Sequence, residues 1–274
     1  MTYQLAKDGW DVWITNNSAV QYSQEHDTWT PYDKEYWAMD WRKYALYDFP
    51  AAVAEIRKRN GDKKVTYVGH SQGTTQMLAG MGLIPEWYDE NVSSAVLMGP
   101  CDCPNQQYFF AYDKENWDFM LDNQIYAFSN TAGYDWEEKK QLIIDKGPQS
   151  LNSVLNMFDG LPNSPIQAVA AYAQTSKIGR FQQYTDDFLT EENPKSPIMD
   201  YGLVKKMKVS MFVGLFDNTC PVRRAQEIYE NLGGEKTVYK WIVQPMDGHG
   251  TWGFVSNPWF MDQLTDSLSV NADI

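Results

Sequence analysis

The stretch that most restricts what this chain can fold into is VTYVGHSQGTTQ, residues 65–76. Four β-prone residues run into Gly69-His70-Ser71-Gln72-Gly73, and helix-compatible residues follow. G-x-S-x-G at a strand-to-helix turn puts the serine on a sharp bend that pushes its hydroxyl out of the sheet. Side chains at 69 and 73 would collide where strand and helix pass closely, which accounts for both glycines. The same turn sets the backbone N–H of Gln72 at a helix start, where it can face a developing oxyanion. The plainer reading is a glycine-rich turn; the strand before it and the partners after it weigh against that.

A serine hydroxyl is a poor nucleophile without a base and a group that orients the base. The chain has three histidines: His26, His70 and His249. His70 adjoins Ser71, so its side chain points elsewhere and reads as packing. His26 lies in a polar stretch and reads as a surface or loop residue. His249 sits in Met246-Asp247-Gly248-His249-Gly250, directly after the apolar run YKWIV (239–243). A histidine on a glycine-flanked loop at a strand end is placed to reach a serine. Between them, VSMFVGLFDNTCP (209–221) reads as a buried strand leading to Asp217. The order Ser71, Asp217, His249 is that of the α/β-hydrolase arrangement and of neither other serine-protease order.

Composition narrows the function classes. The net charge of −13 comes with no offsetting basic patch, which argues against a nucleic-acid partner and disfavours docking on anionic membranes. No apolar run approaches the ~20 residues of a transmembrane helix. At 274 residues, with 43% hydrophobic and 15% aromatic content, the chain can build one large α/β domain with an inserted subdomain. The odd count of three cysteines, Cys101, Cys103 and Cys220, gives no disulfide framework, so they read as buried or loop thiols. The triplets Asn16-Asn17-Ser18 and Asn91-Val92-Ser93 match N-glycosylation acceptors, a pattern common by chance. The first residues have no basic start, apolar stretch or small-residue cleavage site, so no signal peptide is read there.

Along the chain, LAKDGW reads as a helix end with a glycine stop, DVWIT (11–15) as a short strand, and residues 16–42 as a long polar and aromatic loop. A helix is predicted over 47–61, capped by Asp48, with Pro50 in its first turn and Asn60-Gly61 at its end. Strand 64–68, helix 72–82 and strand 91–100 follow. Residues 104–200 show helical periodicity in WDFMLDNQIYAF and VLNMFDGL and no clear β run. Strand 208–215, helix 222–232, strand 238–243 and a helix near 258–268 complete the pattern. Alternating helices and apolar strands imply a mostly parallel sheet. The expected organisation is a hydrolase core over 1–103 and 201–274 with a helical cap over 104–200. Such a cap sits over the Ser71 side of the sheet, its aromatic and Met residues serving as core or, in part, lining a lipophilic pocket.

These segments together resemble the acid lipases, the group of gastric and lysosomal acid lipases. LAKDGWDVWITNNSAVQYSQEH, EYWAMDWRKYALYDFPAAVAEI, VTYVGHSQGTTQ, GLFDNTCPV and DGHGTWGF are similar to family segments, over residues 5–100 and 195–260; the middle is similar only loosely, notably at YAQTSKIGRFQQY. The resemblance implies hydrolysis of lipid esters such as triacylglycerols or sterol esters. Ser71 is then nucleophile, His249 base and acid, Asp217 its orienter and Gln72 an oxyanion donor, with no cofactor or metal. It also implies a lipid-ester partner with transient contact at a lipid interface, and a secreted or lysosomal location. The family carries a His-Gly loop, the source of a second oxyanion donor, upstream of LAKDGW. The expectation is therefore a core that lacks its N-terminal strands. The alternatives are a small-ester esterase or acyltransferase on the same fold, and an inactive, N-terminally truncated relative.

Overall fold

Parallel pairing of four strands organises the computed structural model, which describes residues 1–20, 22–105, 113–128, 135–158, 163–191, 194–254 and 257–271. The first elements are α1 (Thr2–Lys7), α2 (Trp41–Lys43), α3 (Phe49–Asn60), β1 (Val65–His70), α4 (Gln72–Leu83), α5 (Pro85–Asn91) and β2 (Val92–Met98). Then come α6 (Lys114–Asp122), β3 (Ala127–Phe128), α7 (Trp136–Lys146), α8 (Leu151–Phe158), β4 (Ser164–Pro165) and α9 (Ile166–Ile178). The last are β5 (Lys208–Gly214), α10 (Val222–Asn231), β6 (Val238–Gln244), α11 (Thr251–Phe254) and α12 (Pro258–Ser269). The chain divides into two units, one of residues 1–15, 45–102 and 199–274, the other of residues 16–44 and 103–198.

The first unit holds the sheet, in the order β1-β2-β5-β6 with every pair parallel. β2 is buried along its whole length, as a strand covered on both faces must be, and buried Ser93 and Ser94 are the polar residues among its apolar ones. The register sets His70 beside Met98, Met98 beside Phe212 and Gly214 beside Gln244. The carboxyl ends of β1, β2, β5 and β6 therefore lie along one edge, the edge at which α/β sheets present their sites. One face is covered by a cluster in which Phe212, Trp252 and Phe260 meet with ring centroids 5.6–6.2 Å apart. Leu5 of α1 and Leu264 of α12 are buried in the same cluster.

Two local expectations are corrected. Residues 11–15 are not a strand. A β run needs a ladder partner for its N–H and C=O groups, and among the described residues nothing pairs with β1 on the side away from β2. Trp13 instead holds the Arg59 guanidinium 5.4 Å from its ring centre. The helix predicted over 47–61 begins earlier. Asp40 caps Trp41–Lys43 by accepting from the Arg42 N–H, residues 44–48 widen into a π turn, and α3 runs on from there. Asp48 has helical dihedrals and makes no cap bond. The stop at Gly61 is as predicted, with φ of +76°.

The second unit is helical. α6, α7, α8 and α9 surround a core that includes Met120, Trp136, Ile143 and Val169. β3 and β4 pair antiparallel for two residues each, a piece of sheet too short to show as a β run in the sequence. Residues 16–44 belong here, not with the core domain expected over 1–103. Ala19, Tyr36, Trp37, Met39 and Tyr44 are buried in this cluster, so the segment read as a loop over 16–42 supplies core side chains. Buried Asp40 adds a polar anchor, accepting from the Arg42 guanidinium at 2.6 and 2.9 Å and from Gln167 at 2.9 Å. Residues 159–161 of the periodic run VLNMFDGL lie outside the described residues. No described helix is long and apolar enough to cross a membrane.

Candidate active site

Ser71 stands between β1 and α4 with φ of +53° and ψ of −115°, a backbone geometry that L-residues rarely adopt and that needs support from its surroundings. The support is visible. The Ser71 N–H donates to the Met98 carbonyl at the end of β2 (3.1 Å), and the Ser71 carbonyl accepts from the Thr74 hydroxyl (2.6 Å). Tyr67 of β1 donates its hydroxyl to the Gly73 carbonyl at 2.9 Å, drawing strand and helix together. A Cβ at Gly69 would lie 2.9 Å from the Gly73 carbonyl carbon, so the close pass inferred from sequence is real. Gln72 is exposed and opens α4. N–H groups of a first helical turn have no acceptor within the helix.

His249 follows β6 and Asp217 follows β5. The structure brings all three sequence-predicted side chains together. His249 Nε2 is 2.7 Å from Ser71 Oγ, and His249 Nδ1 is 2.7 Å from Asp217 Oδ2. Asp217 is almost wholly buried and its other oxygen, Oδ1, accepts from the N–H groups of Thr219 (3.0 Å) and Cys220 (2.7 Å). These partners assign the protons. A carboxylate only accepts, so Nδ1 carries hydrogen toward Asp217. In the neutral imidazole Nε2 then offers a lone pair to the Ser71 hydroxyl.

The other histidines divide. His26 is exposed, takes N–H bonds from Thr28 and Trp29 on Nδ1, and stacks on Trp29 at 4.8 Å. His70 does more than pack. Its Nε2 lies 2.7 Å from the His249 carbonyl, which can only accept, so Nε2 is the donor and holds the His249 loop. Burial pushes the His70 imidazole below its ordinary value.

Sequence reading missed two features of the site. Gly99, just after β2, has φ of +57°, and a Cβ there would lie 3.2 Å from His249 Nδ1 and 3.4 Å from Asp217 Oδ2. The other is a disulfide. Cys101 and Cys220 are bonded with a Cα–Cα distance of 5.4 Å across 119 residues of sequence, which corrects the reading of all three cysteines as thiols. Cys103 is the odd one out and is buried. An odd count hides a pair whenever one cysteine stays outside it. The acceptor triplet at Asn91 is an unfavourable site for a glycan, because the Asn91 amide nitrogen donates to the Trp87 carbonyl at 2.8 Å and its oxygen accepts from Arg57.

A family model described as alpha/beta hydrolase fold matches residues 1–249. Among curated proteins, Probable lipase C16A3.12c of Schizosaccharomyces pombe is 33% identical over 114 residues, covering 41% of this chain and 26% of that protein. Lipase member K of Mus musculus is 40% identical over 86 residues (31% of this chain, 22% of that protein). Gastric triacylglycerol lipase of Bos taurus is 44% identical over 73 residues (27% and 18%). The chain thus matches about a quarter or less of the length of these relatives.

Proposed function

Because the chain belongs to the α/β-hydrolase fold family, we propose that it is a serine carboxylic ester hydrolase acting on lipid esters, triacylglycerols or sterol esters, through an acyl-enzyme. The observation that carries the reading is the pair of 2.7 Å contacts joining Ser71, His249 and Asp217.

Ser71 Oγ attacks the ester carbonyl while His249 Nε2 takes its proton. Asp217, held by two backbone N–H groups, keeps the imidazole in the required tautomer and stabilises the cation that forms. The N–H of Gln72 donates to the oxyanion. On collapse, His249 returns the proton to the departing alkoxide and leaves an acyl ester on Ser71. A water then gives a proton to His249 and attacks the acyl carbon, and His249 returns that proton to Ser71 Oγ as the carboxylic acid leaves.

Two observations support lipid as the substrate class. The relatives named above are lipases. And Leu215, Phe216 and Met246, on the loops that carry Asp217 and His249, are 49%, 61% and 83% exposed. Backbone bonds from Leu215 to Gln244 and from Phe216 to Asp247, both 2.9 Å, hold these loops side by side. Apolar side chains grouped at a site rim fit transient contact with a lipid surface. With a net charge of −13, that surface is neutral or zwitterionic. The Cys101–Cys220 disulfide supports an oxidising compartment, the secretory or lysosomal route.

The test is Ser71→Ala. It removes one hydroxyl from a turn, so the fold stays while turnover of p-nitrophenyl butyrate and labelling by a fluorophosphonate probe both vanish. Retention of more than a few per cent of turnover overturns the reading.

A further inference from the structure

The bonds around the site close into a ring. The Ser71 carbonyl accepts from the Thr74 hydroxyl at 2.6 Å, and the Thr74 oxygen in turn accepts from the Cys101 N–H at 2.9 Å. The neighbouring Thr75 donates its hydroxyl to the Cys101 carbonyl at 2.6 Å. Cys101 is joined covalently to Cys220, whose N–H lies 2.7 Å from Asp217 Oδ1. Asp217 Oδ2 meets His249, and His249 meets Ser71. One circuit of short bonds thus runs from nucleophile to orienter without passing through the base, and its only covalent cross-link is the disulfide.

That route matters because of where the orienting carboxylate sits. Asp217 is on the loop between β5 and α10, flanked by exposed Leu215 and Phe216. Its bonds to Thr219 and Cys220 are local to that loop and shape the turn without fixing it against the serine. Among the described residues, two ties join the loop and the start of α10 to the turn after β2. One is the Cys101–Cys220 bond. The other is the ion pair from Arg224 Nη2 to both oxygens of buried Asp102, at 3.0 and 3.1 Å. Asp102 also accepts from the Tyr201 hydroxyl at 3.1 Å. The ion pair lies one helical turn beyond the cysteine and holds α10; the disulfide holds the loop three residues from Asp217. Both cysteines are buried, at 4% and 1% exposure.

We propose that Cys101 and Cys220 are positioning residues of the active site: their disulfide sets the Asp217 carboxylate against His249 and Ser71, so that turnover depends on this bond being closed. The inference rests on the reading of Ser71, His249 and Asp217 as the reacting set. Without the cross-link the Arg224–Asp102 pair keeps α10 in place, and the protein stays folded with a looser Asp217 loop. Misplacement of a catalytic group by ~1 Å costs on the order of 100-fold in rate, so a loosened loop costs on the order of 10-fold or more in kcat. Substrate binding does not use the loop's carboxylate, and KM holds.

The experiment compares wild type with the double variant Cys101→Ala/Cys220→Ala on p-nitrophenyl butyrate, at a temperature where circular dichroism shows both folded. The expected result is kcat down at least 10-fold with KM within twofold. A bond that only stabilises the fold lowers Tm and leaves kcat where it was; that result overturns the proposal. If the double variant does not fold, the wild-type protein is treated with dithiothreitol. One thiolate of the dithiol attacks a cysteine sulfur and expels the other as a thiolate, which takes up a proton. The second thiol of the dithiol then resolves the mixed disulfide, leaving two protein thiols and one cyclic disulfide. Activity must fall as two new thiols appear and return on reoxidation. Two new thiols with full activity overturn the proposal, as do three thiols in the denatured, unreduced protein. Ser71→Ala run in parallel separates the two failures. If it keeps turnover, the hydrolase reading is wrong. If it is inactive while the double variant matches wild type, only the positioning role is wrong.

Discussion

Replacing Gly99 by alanine probes the relay from a side the motifs do not reveal. Two effects act at this position. A non-glycine residue at φ of +57° pays the left-handed penalty, about 1–2 kcal/mol. The new methyl also lies 3.2 Å from His249 Nδ1 and 3.4 Å from Asp217 Oδ2, so it presses on the atoms of the 2.7 Å bond between them. Ordinary carbon contacts lie near ~3.5–4.0 Å, so His249 must retreat by a few tenths of an ångström. If ~1 Å of misplacement costs about 100-fold, this retreat costs roughly 3- to 10-fold in kcat.

A second glycine separates the two effects. Gly61 has φ of +76° and nothing within 4 Å of an added Cβ. Gly61→Ala carries the same conformational penalty without a steric contact. Both variants lose about 1–2 kcal/mol, which at ~2–4 °C per kcal/mol lowers Tm by about 2–8 °C. Only Gly99→Ala loses kcat. Thermal melts and initial rates on a dissolved short-chain ester measure both. Wild-type kcat in Gly99→Ala, or an equal loss in Gly61→Ala, refutes the argument.

Other outcomes follow from the same geometry. In Asp217→Asn, the Thr219 and Cys220 N–H groups hold the amide oxygen on their side, so the NH₂ faces His249 Nδ1 and Nε2 must carry the hydrogen; kcat drops on the order of 10⁴-fold, and a loss under tenfold contradicts the tautomer assigned. Ser71→Gly and Ser71→Ala are both inactive, but the glycine protein is the more stable by about 1 kcal/mol because it relieves the positive φ; equal urea midpoints remove the case for strain. His70 folds with its value held below the usual 6.5 by burial, so the unfolded chain binds the extra proton, and stability falls as pH drops below 6.5 toward the folded-state value. In His70→Gln that part of the acid loss disappears, read as a smaller change in urea midpoint between pH 7.5 and pH 5 than in wild type. Phe216→Ser combined with Met246→Ser lowers turnover of an emulsified triacylglycerol several-fold and leaves a dissolved ester unchanged; equal loss on both argues against a role at the lipid surface.

The sequence by itself determined the elements whose signals are local. The strand entering Gly69, the helix leaving Gln72, the glycine stop at Gly61 and the loops at Asp217 and His249 each rest on contiguous residues with a steric or hydrogen-bonding reason of their own. Their boundaries in the structure lie within a residue or two of those read from the chain. Chain order also named the three side chains that meet, because β1, β5 and β6 are parallel and their carboxyl ends share an edge. Tertiary structure decided what depends on partners distant in sequence. Residues 11–15 have strand-like composition, yet no described segment pairs with β1 on its outer side. Residues 16–42 read as a long polar and aromatic loop, and only the fold shows Tyr36 and Trp37 buried among helices more than 70 residues away. Asp48 has the chemistry of a cap, but a π turn places it inside a helix that Asp40 has already capped. Gly99 and the Cys101–Cys220 bond carry no motif, because what makes them matter is the approach of His249 and Asp217, which only the folded sheet brings about.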